Sequence, residues 1–325
     1  MTETPADHSS TPAEAGVLDS GMCDAVLAGL REDPKYLPSH YLYDEQGARL
    51  FEQICELPEY YLTRTELQIL REHLPEISRE LGPRVVLVEP GSGSGQKSML
   101  VLEALVDPVG FVPIDVSGSQ LQDLAARVRD RFPGVEVHAE CGDFRGDLEL
   151  PAFSRAPERR VGFFPGTTLG NFGPEASVHV LEGLGAVVGE GGRVLLGLDL
   201  KKATGILEAA YDDSQGVSRD FALNYLVRLN REANGDFDLN TFGYEAPYDP
   251  ERGTIVMSLV SLEKQVIRVC GAEVPLERGE RIRTEFSYKF DLEQVRSLAN
   301  RAGLDLLRTW TDPERLFGMF LLGTR

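Results

Sequence analysis

The sequence predicts an α/β fold: a seven-stranded, mostly parallel sheet with helices on both faces and a second α+β unit inserted after strand five, joined by the N-terminal segment. Three observations carry this. From residue 84, apolar strand-like runs alternate with turns and helically spaced segments. After residue 200 that alternation stops. The chain then closes with a helical stretch and two more strand-like runs. Strands alternating with helices build parallel sheets, because each parallel connection needs a crossover.

Residues 1–16 (MTETPADHSSTPAEAG) are polar, without an apolar core, and read as a disordered tail and not as a signal peptide. Residues 17–31 have helical spacing, and residues 40–56 are rich in aromatics. In LPEYYLTRTELQIL, Thr63 and Glu66 have capping-box spacing ahead of an apolar stripe at Leu67, Leu70 and Leu74. That predicts a helix start at Thr63, with Tyr60 and Tyr61 on the preceding loop. Pro75 is expected to end this helix or open the next.

VVLVE (85–89) is the continuous apolar run of a buried parallel strand. A helix with Met99, Leu102 and Leu105 follows, then the strand FVPID (111–115) and a helix through Leu121, Leu124, Ala125 and Val128. Further strands are expected at 135–140, 160–166 and 193–200, with a helix at 174–187. Beyond these, 206–232 reads as helical, and 254–270 with 281–290 as antiparallel strands. A helix at 291–302 and strands at 304–310 and 316–324 complete the pattern. This ending fits the sheet of class I S-adenosylmethionine-dependent methyltransferases. It divides the chain into a substrate-binding domain at 17–64 and 201–289 and a methyltransferase core at 65–200 and 290–325.

Composition narrows the function. Apolar residues make up 42% and charged residues 26%, as in globular proteins generally. Against 33 Lys+Arg stand 52 Asp+Glu, a net charge of −19. Such a field disfavours nucleic acid and anionic membrane surfaces as partners and suits a small-molecule enzyme. No apolar run approaches the ~20 residues of a membrane span. Cys23, Cys55, Cys141 and Cys270 show no paired spacing, which predicts neither disulfides nor a zinc site. The five histidines lack metal spacing too, so no metal is expected. A cytoplasmic monomer is the expectation.

The turn after the first strand reads Glu89-Pro90-Gly91-Ser92-Gly93-Ser94-Gly95-Gln96. Its Gly-x-Gly-x-Gly lets the backbone approach a ligand, but Gln96 stands where a dinucleotide fingerprint has its last Gly. Asp115 closes the second strand, where a carboxylate can bind ribose hydroxyls or simply cap the next helix ahead of Ser117. Cys141-Gly142-Asp143-Phe144 offers a carboxylate and a ring edge for adenine, or a plain turn. Three such features at three successive strand ends point to S-adenosylmethionine.

LPEYYLTRTE, EPGSGSGQKS, the CGDF turn, FFPGTTLGNF and TEFSYKF together resemble the histidine-specific Nα-methyltransferases of ergothioneine biosynthesis, over about residues 20–325. The resemblance implies trimethylation of the α-amino group of L-histidine to hercynine. It implies S-adenosylmethionine held by Gly91, Lys97, Asp115, Asp143 and Phe144. It implies histidine held by Tyr60, Asn171, Tyr211, Met257, Glu285 and Ser287, with Tyr60, Asn171 and Tyr211 nearest the chemistry. Pro90 departs from the apolar residue frequent in the family.

The residues by themselves leave alternatives open. Glu285 and Ser287 share a strand face with Arg283 and Lys289, which reads either as a solvated face or as a carboxylate and hydroxyl for the two nitrogens of an imidazole. Met257 alternates with Ile255 and Leu259 as core residues do. Asn171 also suits a plain turn, Tyr60 and Tyr211 suit half-buried packing, and Lys97 suits an exposed helix start. The rival functions are the same chemistry on tryptophan or a histidine derivative, a dinucleotide oxidoreductase, and a non-catalytic S-adenosylmethionine-binding protein.

Overall fold

The computed structural model describes residues 20–115, 118–142 and 150–325. In chain order it begins with three helices: α1 (Ser20–Arg31), α2 (Glu45–Glu56) and α3 (Tyr61–Leu81). There follow β1 (Val85–Pro90), α4 (Gln96–Ala104), β2 (Gly110–Asp115), α5 (Gly118–Arg131), β3 (Glu136–Val137), β4 (Glu140–Cys141), β5 (Arg159–Phe164), α6 (Pro174–Val188) and β6 (Arg193–Asp199). The region after residue 200 holds α7 (Thr204–Tyr211), α8 (Val217–Glu232), β7 (Phe242–Glu245), β8 (Tyr248–Asp249), β9 (Thr254–Ser261), β10 (Gln265–Val269), β11 (Ala272–Leu276) and β12 (Arg281–Tyr288). Helix α9 (Leu292–Arg301) and strands β13 (Leu304–Thr311) and β14 (Phe317–Thr324) end the chain.

The main sheet runs β13-β14-β6-β5-β1-β2-β3, with β4 also paired to β2. Strands β6, β5, β1, β2 and β3 are parallel, while β14 is antiparallel to both β6 and β13. This is the class I methyltransferase order, with the expected third strand split into β3 and β4. The alternation along β1 shows why: Val85 and Leu87 join one core while Val86 and Val88 join another on the opposite face. A strand apolar on both faces is stable only under cover on both. The order reverses at β1, which has β2 on one side and β5 on the other. A crevice outside the carboxyl ends of β1 and β5 results, the usual place for a ligand in such sheets.

Several local expectations are corrected. The capping box does not form: α3 begins at Tyr61, behind Tyr60, with no side-chain cap. Glu66 is instead fully buried and accepts from the Gly166 N–H at 2.7 Å. Pro75 lies inside α3. Arg71 and Pro75 are both exposed, so the proline sits on the solvent side of the helix. The helical stretch 206–232 breaks at Gly216, in the left-handed region at φ 77°. There Asp213 accepts from the backbone of Gln215, Val217 and Ser218 and so starts α8.

Beside the main sheet lie a four-stranded antiparallel sheet (β12-β9-β7, with β8 on β9) and the β10–β11 hairpin. The N-terminal segment packs on this region. Tyr225 Oη donates to Pro38 O at 2.7 Å, Arg228 donates to Tyr41 O at 2.9 Å, and Asn224 donates to Asp44 at 2.7 Å. Cys23 and Cys270 form a disulfide, which overturns the expectation of none. They lie 247 residues apart in sequence but have Cα atoms 5.4 Å apart, because α1 packs beside β11. Sequence spacing carries no trace of that proximity. Among the described residues no helix is long and apolar enough to cross a membrane.

Candidate active site

The glycine turn follows β1 at the sheet's reversal point. Gly91, Gly93 and Gly95 all have positive φ (66°, 48° and 68°), conformations that side chains resist. A Cβ on Gly91 or Gly93 would meet nothing within 4 Å, so the turn faces open space. Gly95 packs inward, where a Cβ would meet Leu124 Cδ1 at 2.1 Å. The Asp115 carboxylate accepts from the Gly93 N–H at 2.9 Å, which ties the end of β2 to the turn. Ser92 Oγ is buried without a hydrogen-bond partner among the described residues. Lys97, in the first turn of α4, forms an ion pair with the buried Glu66. Beneath it Glu89 is buried and bonded to Ser98 Oγ, and burial pushes its carboxyl up to about 8. Asp143 and Phe144, the expected adenine pair, lie outside the described residues, as does Ser117.

The second half of the site is built on β12. Register shifts between Arg283 and Glu285, a bulge that interrupts the strand's alternation. Arg283 is thereby turned to the face of Phe286, its guanidinium 4.1 Å from that ring. Glu285, Ser287 and Lys289 turn inward and are 9%, 1% and 1% exposed. The solvated-face reading is therefore wrong, and Arg283 is not on the pocket side.

Asn171 ends the 3₁₀ turn Thr168–Asn171 after β5 and donates from Nδ2 to Glu285 Oε1 at 2.8 Å. Burial pushes the Glu285 carboxyl up to about 8, and the nearby Lys289 charge pulls the other way. Met257 pairs with Glu285 across the strands. Tyr211, the last residue of α7, lies 2.8 Å by its hydroxyl from Ser287 Oγ. Its backbone carbonyl accepts from Tyr244 Oη at 2.8 Å.

Tyr60 is buried and meets Tyr211 edge to face, with ring centroids 6.0 Å apart; Phe51 lies on its other side at 6.3 Å. Its loop is held by Arg64, whose guanidinium donates to the carbonyls of Leu57, Pro58 and Tyr60. Tyr43 packs edge-on to Phe51 and Phe221, and burial first, then the nearby Glu285, push its phenol well above the usual range. Contacts thus link Tyr60, Tyr211 and Ser287 in one group and Asn171, Glu285 and Met257 in another, and β12 carries both. Gly91, Lys97 and Asp115 gather around the glycine turn and Glu66.

A family model described as histidine-specific methyltransferase, SAM-dependent, matches residues 22–324. The chain belongs to this family. It is 40% identical to a histidine N-alpha-methyltransferase of Mycolicibacterium smegmatis, over 91% of this chain and 92% of that one. It is 28% identical to ergothioneine biosynthesis protein 1 of Neurospora crassa, over 90% of this chain and 33% of that one. It is 30% identical to a 4-dimethylallyltryptophan N-methyltransferase of Epichloe festucae var. lolii, over 91% and 92%.

In this member of the family, three buried residues outside the sequence-derived set, Glu66, Asp199 and Lys289, and the half-buried Lys202 adjoin the candidate site. Asp199, at the end of β6, accepts from Tyr61 Oη at 2.8 Å, Lys202 Nζ at 2.6 Å and Lys289 Nζ at 2.8 Å. Glu66 links Lys97 to Gly166, which precedes the Asn171 turn. Asp199 had a signal in sequence, a carboxylate at a strand end. Lys289 had one in its spacing from Glu285 and Ser287. Glu66 and Lys202 had none that distinguished them from capping and surface residues.

Proposed function

We propose that this protein transfers methyl groups from S-adenosylmethionine to the α-amino nitrogen of L-histidine, three in succession, yielding hercynine for ergothioneine biosynthesis. The observation that carries the reading is the buried Glu285 and Ser287 pair on β12, each already held by a polar neighbour. A carboxylate and a hydroxyl side by side suit a ring with two nitrogens. An indole offers one N–H donor and no ring acceptor, which leaves one of the two groups unpaired at high cost. The relative named for dimethylallyltryptophan makes that substrate class the rival worth testing.

The glycine turn fits the cofactor. It has room over Gly91 and Gly93, a buried hydroxyl on Ser92 still to be satisfied, and a carboxylate and an ammonium at Asp115 and Lys97. Gly91, Lys97 and Asp115 would hold S-adenosylmethionine, with Asp143 and Phe144 assigned by the family resemblance. Once bound, the cofactor supplies an electrophilic sulfonium methyl. The remaining work is positioning. Asn171 spends one amide hydrogen on Glu285, which leaves its carbonyl oxygen to accept from the α-amine. An ordinary α-amine, with a pKa of ~8, loses its proton to water without a strong base. The rings of Tyr60, Tyr211 and Phe51 form a wall that tolerates an increasingly cationic head group. The reading includes a substrate-binding unit of the N-terminal helices and the inserted sheet, a monomer, and a cytoplasmic place of work.

Mass spectrometry of the protein with S-adenosylmethionine and each of the twenty amino acids, plus 4-dimethylallyltryptophan, tests the reading. Addition of three methyl groups to histidine alone is expected. Absence of a histidine product sinks the proposal, and methylation of the tryptophan derivative alone selects the rival.

A further inference from the structure

Lys289 is a buried ammonium with every proton committed. It pairs with Asp199 Oδ2 at 2.8 Å and donates to Tyr211 Oη at 2.6 Å and Ser287 Oγ at 2.8 Å. Both ends of the ion pair are 0% exposed by side chain. Burial lowers the Lys289 pKa on balance, with the Asp199 carboxylate opposing it; the carboxylate at 2.8 Å and the two hydroxyl acceptors around Nζ fit the three hydrogens of an ammonium. The other ionisable groups that face it are Glu285 and Tyr248, which also favour its charge. Across Asp199 stand Tyr61 and Lys202, the latter brought down by burial to about 8.

This arrangement dictates where the hydroxyl protons go. Tyr211 Oη and Ser287 Oγ each accept one hydrogen from Lys289 and lie 2.8 Å from one another. One of the two must donate to the other, which leaves a single free O–H for the substrate. A phenol is the stronger donor and weaker acceptor, so Tyr211 donates to Ser287. Both lone pairs of Ser287 are then used, and its own proton points outward. We propose that Lys289 is a positioning residue that makes Ser287 a hydrogen-bond donor, so that the site takes the neutral imidazole ring through an unprotonated ring nitrogen. The second ring nitrogen keeps its hydrogen for an oxygen of Glu285, which accepts as a carboxylate or, when the carboxyl is neutral, through its carbonyl. The inference rests on histidine being the substrate.

The test observes the ring directly. Wild-type protein saturated with S-adenosylhomocysteine is loaded with ring-15N L-histidine, and nitrogen shifts are recorded from pH 6 to 8. One protonated and one unprotonated nitrogen are expected throughout, even at pH ~6, where the free ring, with a pKa of ~6.5, is mostly charged. Bound histidine with both nitrogens protonated at pH 7 overturns the proposal and leaves the histidine reading intact. If histidine neither binds nor is methylated, the histidine reading itself has failed. In Lys289→Met and Lys289→Gln the histidine KM should rise at least tenfold with kcat less affected and S-adenosylhomocysteine Kd within twofold. The bound ring should then charge at pH 6. A folded variant that keeps the neutral ring and the wild-type KM shows that Lys289 only packs, against the proposal. Should neither variant fold, the wild-type ring state alone still decides whether Ser287 donates.

Discussion

Asn171 Nδ2 donates to Glu285 Oε1 across 2.8 Å, and so joins the loop after β5 of the main sheet to a strand of the inserted sheet. The bond fixes one oxygen of a buried carboxyl between those two elements. Glu285→Ala should therefore cut kcat/KM for histidine by about a hundredfold or more, chiefly through KM. Calorimetric titration with S-adenosylhomocysteine should find its Kd within threefold of wild type. A comparable loss of cofactor affinity contradicts this division of labour.

The same carboxyl makes a pH prediction. Burial raises Glu285 to about 8, above the ~4.3 of an unfolded carboxyl, so the folded chain holds an extra proton between those values. Stability from this group is complete below about pH 4 and is lost as pH rises through 8. Glu285→Gln cannot ionise. Its Tm should approach that of wild type near pH 5 and exceed it by about 2 °C or more at pH 8. Glu89 is raised in the same direction and is present in both proteins, so it does not affect the comparison.

Glu66 is the buried partner of Lys97 at the glycine turn. Lys97→Met leaves that carboxylate without its cation and, on the proposed reading, removes a group that holds the cofactor. S-adenosylhomocysteine should bind at least tenfold more weakly, with histidine specificity unchanged, and Tm should fall. Equal affinity in the variant argues that Lys97 serves only Glu66.

Asp199 carries two ammonium groups and a phenol in a fully buried position. Removal of its charge in Asp199→Asn should destabilise the chain by roughly 3–5 kcal/mol, because Lys289 is left buried and unpaired. Urea unfolding measures it; a loss under 1 kcal/mol contradicts the account.

The disulfide predicts a chemical pattern. Without reductant, Cys55 and Cys141 should alkylate in the unfolded chain while Cys23 and Cys270 stay protected. Cys23→Ser should lower stability by up to about 5 kcal/mol, the loop-entropy value for so long a closed loop. Alkylation of all four thiols rules the bond out.

The main sheet was legible because its strands are apolar on both faces and its connections short, properties written in local composition. The glycine turn was legible for a similar reason: the positive φ values of Gly91, Gly93 and Gly95 leave few other residues admissible there. Residues at helix starts misled. Glu66 has the spacing of a capping residue, yet burial against Gly166 and Lys97 outweighs a cap of about 1 kcal/mol.

By itself the sequence determined the α/β class, the strand ends that face a ligand and the family motifs, since periodicity and glycine placement act over a few residues. Only the tertiary structure decided which side chains meet. The bulge before Glu285 put Arg283 on one face and Glu285, Ser287 and Lys289 on the other, against strict alternation. The approach of α1 to β11 made a disulfide of two cysteines 247 residues apart. The burial of Asp199 gathered Tyr61 and Lys289, both far away in the chain, into one network with the neighbouring Lys202. Each is a contact between segments far apart in the chain, and its energy depends on desolvation, which no local pattern records.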